Sequence, residues 1–333
     1  MMLGIVLDRN LADKIQLREV SIPSLLSNQV KVKIKAAALN HRDEWCRQGL
    51  YPNISDGVIL GSDGAGIIEE VGSEVTSWKV GQEVIINPAL HWGEDQKAQS
   101  NDFQILGMPE HGTLSEYLIV PADRLHLKPS HLNWEEAAAL PLAGLTAFRA
   151  LVYQGKVKPS DQVLITGFGG GVAQFAAQFS KALGAKIYVS SSQESKIQKA
   201  IEIGLDGGFN YRDEDWTKKA QNETGGFDLI IDGASGDGLN DLIKVSRPGA
   251  RIVIYGATQG NPGKLEARRI FWNQLKILGS TMGSDNDFSE MLKLVEEKEI
   301  KPLVDQVFSF ENAVDAFDRM RDGKQSGKIV LKP

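Results

Sequence analysis

The run Gly167-Phe168-Gly169-Gly170-Gly171-Val172, within TGFGGGVAQFAAQ, is the stretch best suited to holding a phosphate. It follows the apolar run QVLI and opens a segment with helical periodicity. Its glycines permit a tight turn and close backbone approach where the free N–H groups of a helix start stabilise an anionic pyrophosphate. Counted from Gly167 the spacing is G-x-x-G-x-x-A, with Ala173 small enough to keep helix and strand close. A glycine turn without a ligand is the alternative; the strand–turn–helix context favours dinucleotide binding.

About 20 residues further on, an NAD site usually carries an acid that grips the ribose 2′-hydroxyl. Here KIYVSSSQESK offers Ser190, Ser191 and Ser192, with Lys196 beyond. Hydroxyls and a cation suit a 2′-phosphate, whose charge an aspartate would repel. Tyr211 and Arg212, at the end of the next strand, complete such a pocket, and the expected cofactor is NADPH. In the plain reading the serines cap the next helix and Arg212 is a solvated surface group.

A parallel sheet must position this loop. From Gln162 apolar runs alternate with amphipathic ones: QVLITG, GVAQFAAQFSKALG, KIYVS, ESKIQKAIEIG, GGFNY, FDLIIDG, ARIVIYG and LKILGS. The alternation predicts an α/β fold with a Rossmann-type doubly wound sheet, whose continuous apolar strands are buried on both faces. Residues 1–124 instead show short β-like runs broken by glycine, read as a mostly antiparallel β domain. Residues 91–112 have no periodicity and read as a long surface loop. The tail returns to the first style, so the expected domains are 1–124 completed by 286–333, and 125–285.

Two domains suit 333 residues, each with its own core. A formal net charge of -6 without a long like-charge run argues against nucleic acid or an anionic membrane as partner. MMLGIVLDRN lacks the features of a signal peptide, and no apolar stretch is long enough to span a bilayer, so a cytoplasmic location is expected. The single cysteine, Cys46, excludes an internal disulfide and a four-cysteine zinc site.

In chain order, LNHRDEWCRQGLYP, LGSDGAGIIEEVG, VGQEVI, EYLIVPADRLHLKP, LPLAGLTAF, VLITGFGGGVA, FDLIIDGASG, LGSTMGS and SGKIVLKP resemble the medium-chain dehydrogenase/reductase superfamily, and within it the zinc-independent quinone oxidoreductase branch. The resemblance covers essentially the whole chain. It implies a GroES-like catalytic domain beside the Rossmann domain, and a homodimer formed by edge-to-edge pairing of Rossmann sheets. Its most specific element begins at Gly61. Zinc members read G-H-E-x-x-G-x5-G; here Gly61, Gly66 and Gly72 are kept, while Ser62 and Asp63 replace the histidine and glutamate. Asn40 stands at the zinc-binding cysteine, and residues 91–112, where zinc members hold a structural zinc, contain no cysteine. A catalytic zinc takes about three protein ligands, so no metal is expected. A rearranged site from His41, Asp43 and Cys46 is the alternative, without recognised ligand spacing.

Without a Lewis acid the oxidation of simple alcohols loses its means of steadying an alkoxide. Quinones and α,β-unsaturated carbonyls are easier hydride acceptors, since hydrogen bonds can stabilise the resulting phenolate or enolate. The resemblance implies that Asn40, Asp43 and Tyr51 line the substrate side of the nicotinamide, and Trp45 offers an apolar wall. Asn40 can donate an amide N–H, and Tyr51 a hydrogen bond or proton. In the plain readings Asp43 ties down its loop, Tyr51 is a turn aromatic and Trp45 is core. Thr146 and the segment Thr281-Met282-Gly283 match family positions near the nicotinamide, and Lys328 is expected nearby. Gly256-Ala257-Thr258 ends a strand on the edge where open α/β sheets bind ligands. The expected activity is NADPH-dependent reduction of a small-molecule quinone or conjugated carbonyl. The alternatives are a zinc-type alcohol dehydrogenase and an NADPH-binding protein with little turnover.

Overall fold

Alternating apolar residues in QVKVKIKAAA bury Val30, Val32 and Ile34, and make Gln29–Ala38 the strand around which the first unit is built. In the computed structural model, which describes residues 1–333, the chain divides into Met1–Ala143 with Ser284–Pro333, and Gly144–Gly283. The first unit holds a seven-stranded sheet in the order Val304–Ser309, Lys328–Lys332, Gln29–Ala38, Asp63–Val71, Glu83–Ile86 and Leu125–Leu127, with Tyr117–Pro121 also paired to Gln29–Ala38. Only the Val304–Ser309 pair is parallel. Its core joins Val30, Val32, Ile68, Val84, Phe317 and Ile329.

The glycine frame has a steric cause. A Cβ on Gly66 would lie 2.3 Å from the Lys33 carbonyl oxygen, and one on Gly72 2.3 Å from that of Leu26. Gly61 has φ +99°, a conformation that side chains other than glycine's rarely adopt. These glycines let Asp63–Val71 close on Gln29–Ala38 in a register that pairs Ala38 with Asp63.

The first unit extends further than the sequence suggests. Leu125–Leu127 pairs with Glu83–Ile86, and the helix Trp134–Ala139 packs on Gln29–Ala38 and Asp63–Val71, so residues 125–143 belong with the β unit. The return begins at Ser284, whose hydroxyl caps the helix Asp285–Glu297. Residues 91–112 are not simply a surface loop either. Trp92, Leu106 and Met108 are buried, and Trp92 meets Phe103 edge-on with ring centroids 5.3 Å apart. Single anchors spaced irregularly leave no periodicity to read.

The second unit is a six-stranded, wholly parallel sheet in the order Gly207–Asn210, Lys186–Ser191, Gln162–Ile165, Phe227–Asp232, Ser246–Ile254 and Lys276–Gly279. The chain steps outward from Gln162–Ile165 and then returns to its other side. That reversal makes the switch point at which doubly wound sheets bind ligands, beside the glycine loop. No helix is long and apolar enough to cross a membrane.

Candidate active site

Three strands of the first unit converge on Asn40. Ala38 pairs with Asp63 on one side and with Val330 on the other, which brings Asp63 and Lys328 against the start of the helix His41–Gln48. The Lys328 ammonium, 4% exposed as a side chain, donates to the Leu39 carbonyl at 2.7 Å, to Asn40 Oδ1 at 2.6 Å and to Asp63 Oδ2 at 2.8 Å. Asn40 Nδ2 donates to the same Asp63 oxygen at 2.9 Å. Asp63 Oδ1 accepts the Leu142 N–H at 2.7 Å. An ammonium has three N–H donors, so Lys328, expected beside the cofactor, has none left for a ligand. Asn40 keeps one amide hydrogen without a protein acceptor.

Asp43 is fully buried, and its carboxylate accepts the N–H groups of Asn40 at 2.8 Å and Gly61 at 3.2 Å. Burial raises its pKa, with Arg42, the Asn40 N–H and Lys328 opposing that shift. This geometry makes Asp43 the tie between the helix start and the glycine frame. Arg42, which the sequence did not single out, donates through one terminal nitrogen to Ser62 Oγ at 2.5 Å and the Leu106 carbonyl at 2.6 Å. Its other terminal nitrogen reaches the Ile105 carbonyl at 3.3 Å, and Nε reaches the Tyr51 hydroxyl at 3.4 Å. The guanidinium lies 4.8 Å from the Tyr51 ring centroid. Trp45 is half-buried, 6.2 Å from the His41 ring.

No group of three His, Cys, Asp or Glu side chains converges in a metal-holding arrangement. Cys46 lies wholly within the core, and burial, aided by Asp43, pushes its thiol up to about 12. Since the thiolate is the reactive form, Cys46 should resist a thiol reagent such as Ellman's in the native protein and react fully in denaturant. Rapid native labelling would contradict this placement.

In the second unit the expected cofactor residues gather where the parallel strands end. Gly167 and Gly169 have φ +63° and +143°, and the helix Gly171–Ala182 starts just beyond them. Phe168 is a core anchor: its ring is buried and its N–H donates to the Ser190 carbonyl at 3.0 Å. A Cβ on Gly169 would stand 2.9 Å from Lys196 Nζ, so that ammonium overlies the loop. Ser190 and Ser191 are buried and Ser192 is half-buried. None of them caps the following helix, whose N-cap is Gln193; Ser191 Oγ accepts only the Gln193 N–H, at 3.2 Å. The Tyr211 N–H donates to the Ser191 carbonyl at 3.2 Å, and its side chain is exposed.

Asp232, missed in the sequence, ties neighbouring strand ends. It accepts the Thr166 hydroxyl at 2.5 Å and the Ser235 N–H at 2.8 Å. Gly256, Ala257 and Thr258 leave the end of Ser246–Ile254, with the Thr258 hydroxyl donating to the Gly233 carbonyl at 3.3 Å. The Thr146 hydroxyl meets Met282 Sδ at 3.7 Å, and Met282 has φ +41°, uncommon for a side chain of its kind. Thr281 beside it is exposed, while Gly283 is buried.

Residues 27–130 match the family model for the alcohol dehydrogenase GroES-like domain, and residues 171–297 that for zinc-binding dehydrogenase. The zinc-type alcohol dehydrogenase-like protein YogA of Leptosphaeria maculans is 37% identical over 338 residues, covering 96% of this chain and 94% of that protein. An NAD-dependent alcohol dehydrogenase of Sulfolobus acidocaldarius is 31% identical, with 96% of each chain covered. A crystal structure of an NAD-dependent alcohol dehydrogenase, 36% identical, matches 100% of both chains with a TM-score of 0.94. With both domain families in order and relatives matched along nearly their full length, the chain belongs to the medium-chain dehydrogenase/reductase superfamily of oxidoreductases.

Proposed function

We propose that the protein is an NADPH-dependent reductase of quinones or α,β-unsaturated carbonyls that works without a catalytic metal. The observation that carries this reading is what occupies the two positions where zinc members place ligands. Asn40 and Ser62 stand there, and their oxygens are already bonded to the Lys328 ammonium and the Arg42 guanidinium. A dication coordinated at those oxygens would have to displace the N–H donors that already hold them, Lys328 at Asn40 and Arg42 at Ser62. An amide and a hydroxyl are also poor zinc ligands beside Cys, His and carboxylate. This donor set does not fit zinc.

The glycine loop fits a dinucleotide. An added Cβ on Gly167 would meet no atom within 4 Å, leaving open space before the start of a twelve-residue helix. NADPH, when bound, supplies the hydride. Hydride addition to a quinone or enone leaves negative charge on the acceptor oxygen. The remaining amide hydrogen of Asn40 and the hydroxyl hydrogen of Tyr51 are the donors this chain offers to that oxygen. Asp43 fixes Asn40 in place.

Preference for NADPH rests on Ser192, Lys196 and Tyr211 beside a strand that ends in Ser191 rather than an acid. Two relatives are named for NAD, so the preference is a point to measure. Lys196→Ala should weaken NADPH binding about tenfold, the worth of one charge-assisted hydrogen bond, and leave NADH within about twofold. Equal losses for both cofactors would refute the phosphate contact. Homodimerisation is part of the same reading. Lys276–Gly279 is an open sheet edge, and Phe271 and Trp272 are 67% and 78% exposed just before it; light scattering tests it.

The deciding assay sets NADPH oxidation with a panel of ortho-quinones and enals against NAD⁺ reduction by primary and secondary alcohols. The reading expects the first to dominate. Faster alcohol oxidation than reduction of every quinone and enal would replace it with the alcohol dehydrogenase reading that the relatives' names carry.

A further inference from the structure

We infer that Arg42 is a positioning residue for the reduction, acting through Tyr51: it orients the phenol and balances the charge left when the phenol gives up its proton. The inference rests on the reading of the site given above.

Arg42 differs from the other paired buried arginines. Arg47 meets Glu44 at 2.7 Å and Asp318 at 2.6 Å, and Arg124 meets Asp285 at 2.6 Å. Arg42 is 5% exposed, yet all its hydrogen bonds go to neutral acceptors: two carbonyls, the Ser62 hydroxyl and the Tyr51 hydroxyl. The neighbouring Asp43 carboxylate is committed to the N–H groups of Asn40 and Gly61. A guanidinium keeps its charge at any physiological pH, and a buried charge without a direct counter-ion is costly. The Arg42 guanidinium thus interacts with Asp43 only through space and bonds no carboxylate, so it is free to hydrogen-bond an anion that forms on a neighbouring group during turnover.

Its hydrogen bonds also aim Tyr51. The carbonyls of Ile105 and Leu106 and the Ser62 hydroxyl fix the guanidinium, and Ser62 Oγ is fixed in turn by donating to the Leu106 carbonyl at 2.8 Å. Nε then donates to the Tyr51 oxygen, while the guanidinium flanks the ring. Because that oxygen accepts from Arg42, its own hydrogen must point elsewhere, and it has no acceptor in the protein. The step that follows is balanced. Hydride reaches the acceptor carbon, the electron pair moves to the acceptor oxygen, and Tyr51 transfers its proton to that oxygen. The Tyr51 O–H bond breaks, the acceptor O–H bond forms, the phenolate is left beside Arg42, and water returns the proton. An enol formed in this way tautomerises to the saturated carbonyl.

A double-mutant cycle on the full chain tests this, using a quinone or enal that the wild type reduces, with kcat and KM measured separately. Arg42→Gln should lower kcat about 100-fold, comparable to losing a preorganised charge-stabilising donor, and change KM less than about threefold. In a Tyr51→Phe background the same change should lower kcat less than about threefold, because residues acting as a unit are not additive. Arg42→Lys, which keeps the charge without the planar fork, should fall between. If Arg42→Gln fails to fold by its melting profile, the same cycle is run with Arg42→Lys. Losses that multiply between the two positions, or near-wild-type kcat in a folded Arg42 variant, would overturn the inference while leaving the proposed activity standing. A wild type that reduces no quinone or enal would overturn both.

Discussion

Replacing Lys328 by methionine is expected to lower stability by about 3–5 kcal/mol, the usual cost of leaving one member of a buried ion pair unpaired. Asp63 is fully buried, and Lys328 is its only cationic partner within ion-pair distance. Without the ammonium, the Asp63 carboxylate keeps only the Asn40 amide and the Leu142 N–H. The Leu39 carbonyl and Asn40 Oδ1 lose their donor as well. Asp63→Asn added to Lys328→Met should recover a large part of the loss, because replacing both charges of such a pair costs far less than removing one. Urea unfolding followed by tryptophan fluorescence reads the difference as a shift in midpoint at similar slope. A Lys328→Met protein as stable as the wild type would mean that the pair does not hold the sheet around Asn40.

Tyr51→Phe is expected to lower kcat for quinone or enal reduction by about 10²–10³-fold, the range for losing a positioned proton donor. The substitution removes one oxygen from a half-buried ring and leaves its apolar contacts with the first unit's core in place. The melting temperature should therefore move little, and so should NADPH affinity. A fall in stability parallel to the fall in rate would assign Tyr51 a packing role instead.

Much of the second unit was readable in the sequence because its signals are local. Apolar runs of strand length alternate with amphipathic helices, and the glycine loop sits between one of each, so the parallel sheet and the loop's place in it follow from local pattern. The frame of Gly61, Gly66 and Gly72 was legible through the family resemblance, and the fold supplies its reason: a Cβ at the last two would strike backbone. The cationic arrangement around Asn40 was not. Lys328 and Asn40 lie 288 positions apart, and they meet only because Lys328–Lys332 and Asp63–Val71 flank the same strand in specific registers. Arg42 gave no signal for a related reason. An arginine in an eight-residue helix that also carries Arg47 reads as solvated, and its burial depends on carbonyls from the segment at 105–106 that carries no motif. Sequence reasoning thus pointed to Asn40 and Ser62, while the cations bonded to their oxygens required the fold.

In the proposed reduction, Lys328 and Arg42 hold Asn40 and Ser62 where zinc members hold a metal ion. The most direct measurement is the rate of NADPH-dependent quinone reduction before and after exhaustive dialysis against a strong zinc chelator, with the zinc content of the same samples determined. The account predicts an unchanged rate in protein holding far less than one zinc per chain. A rate that disappears on dialysis and returns with stoichiometric zinc would contradict it.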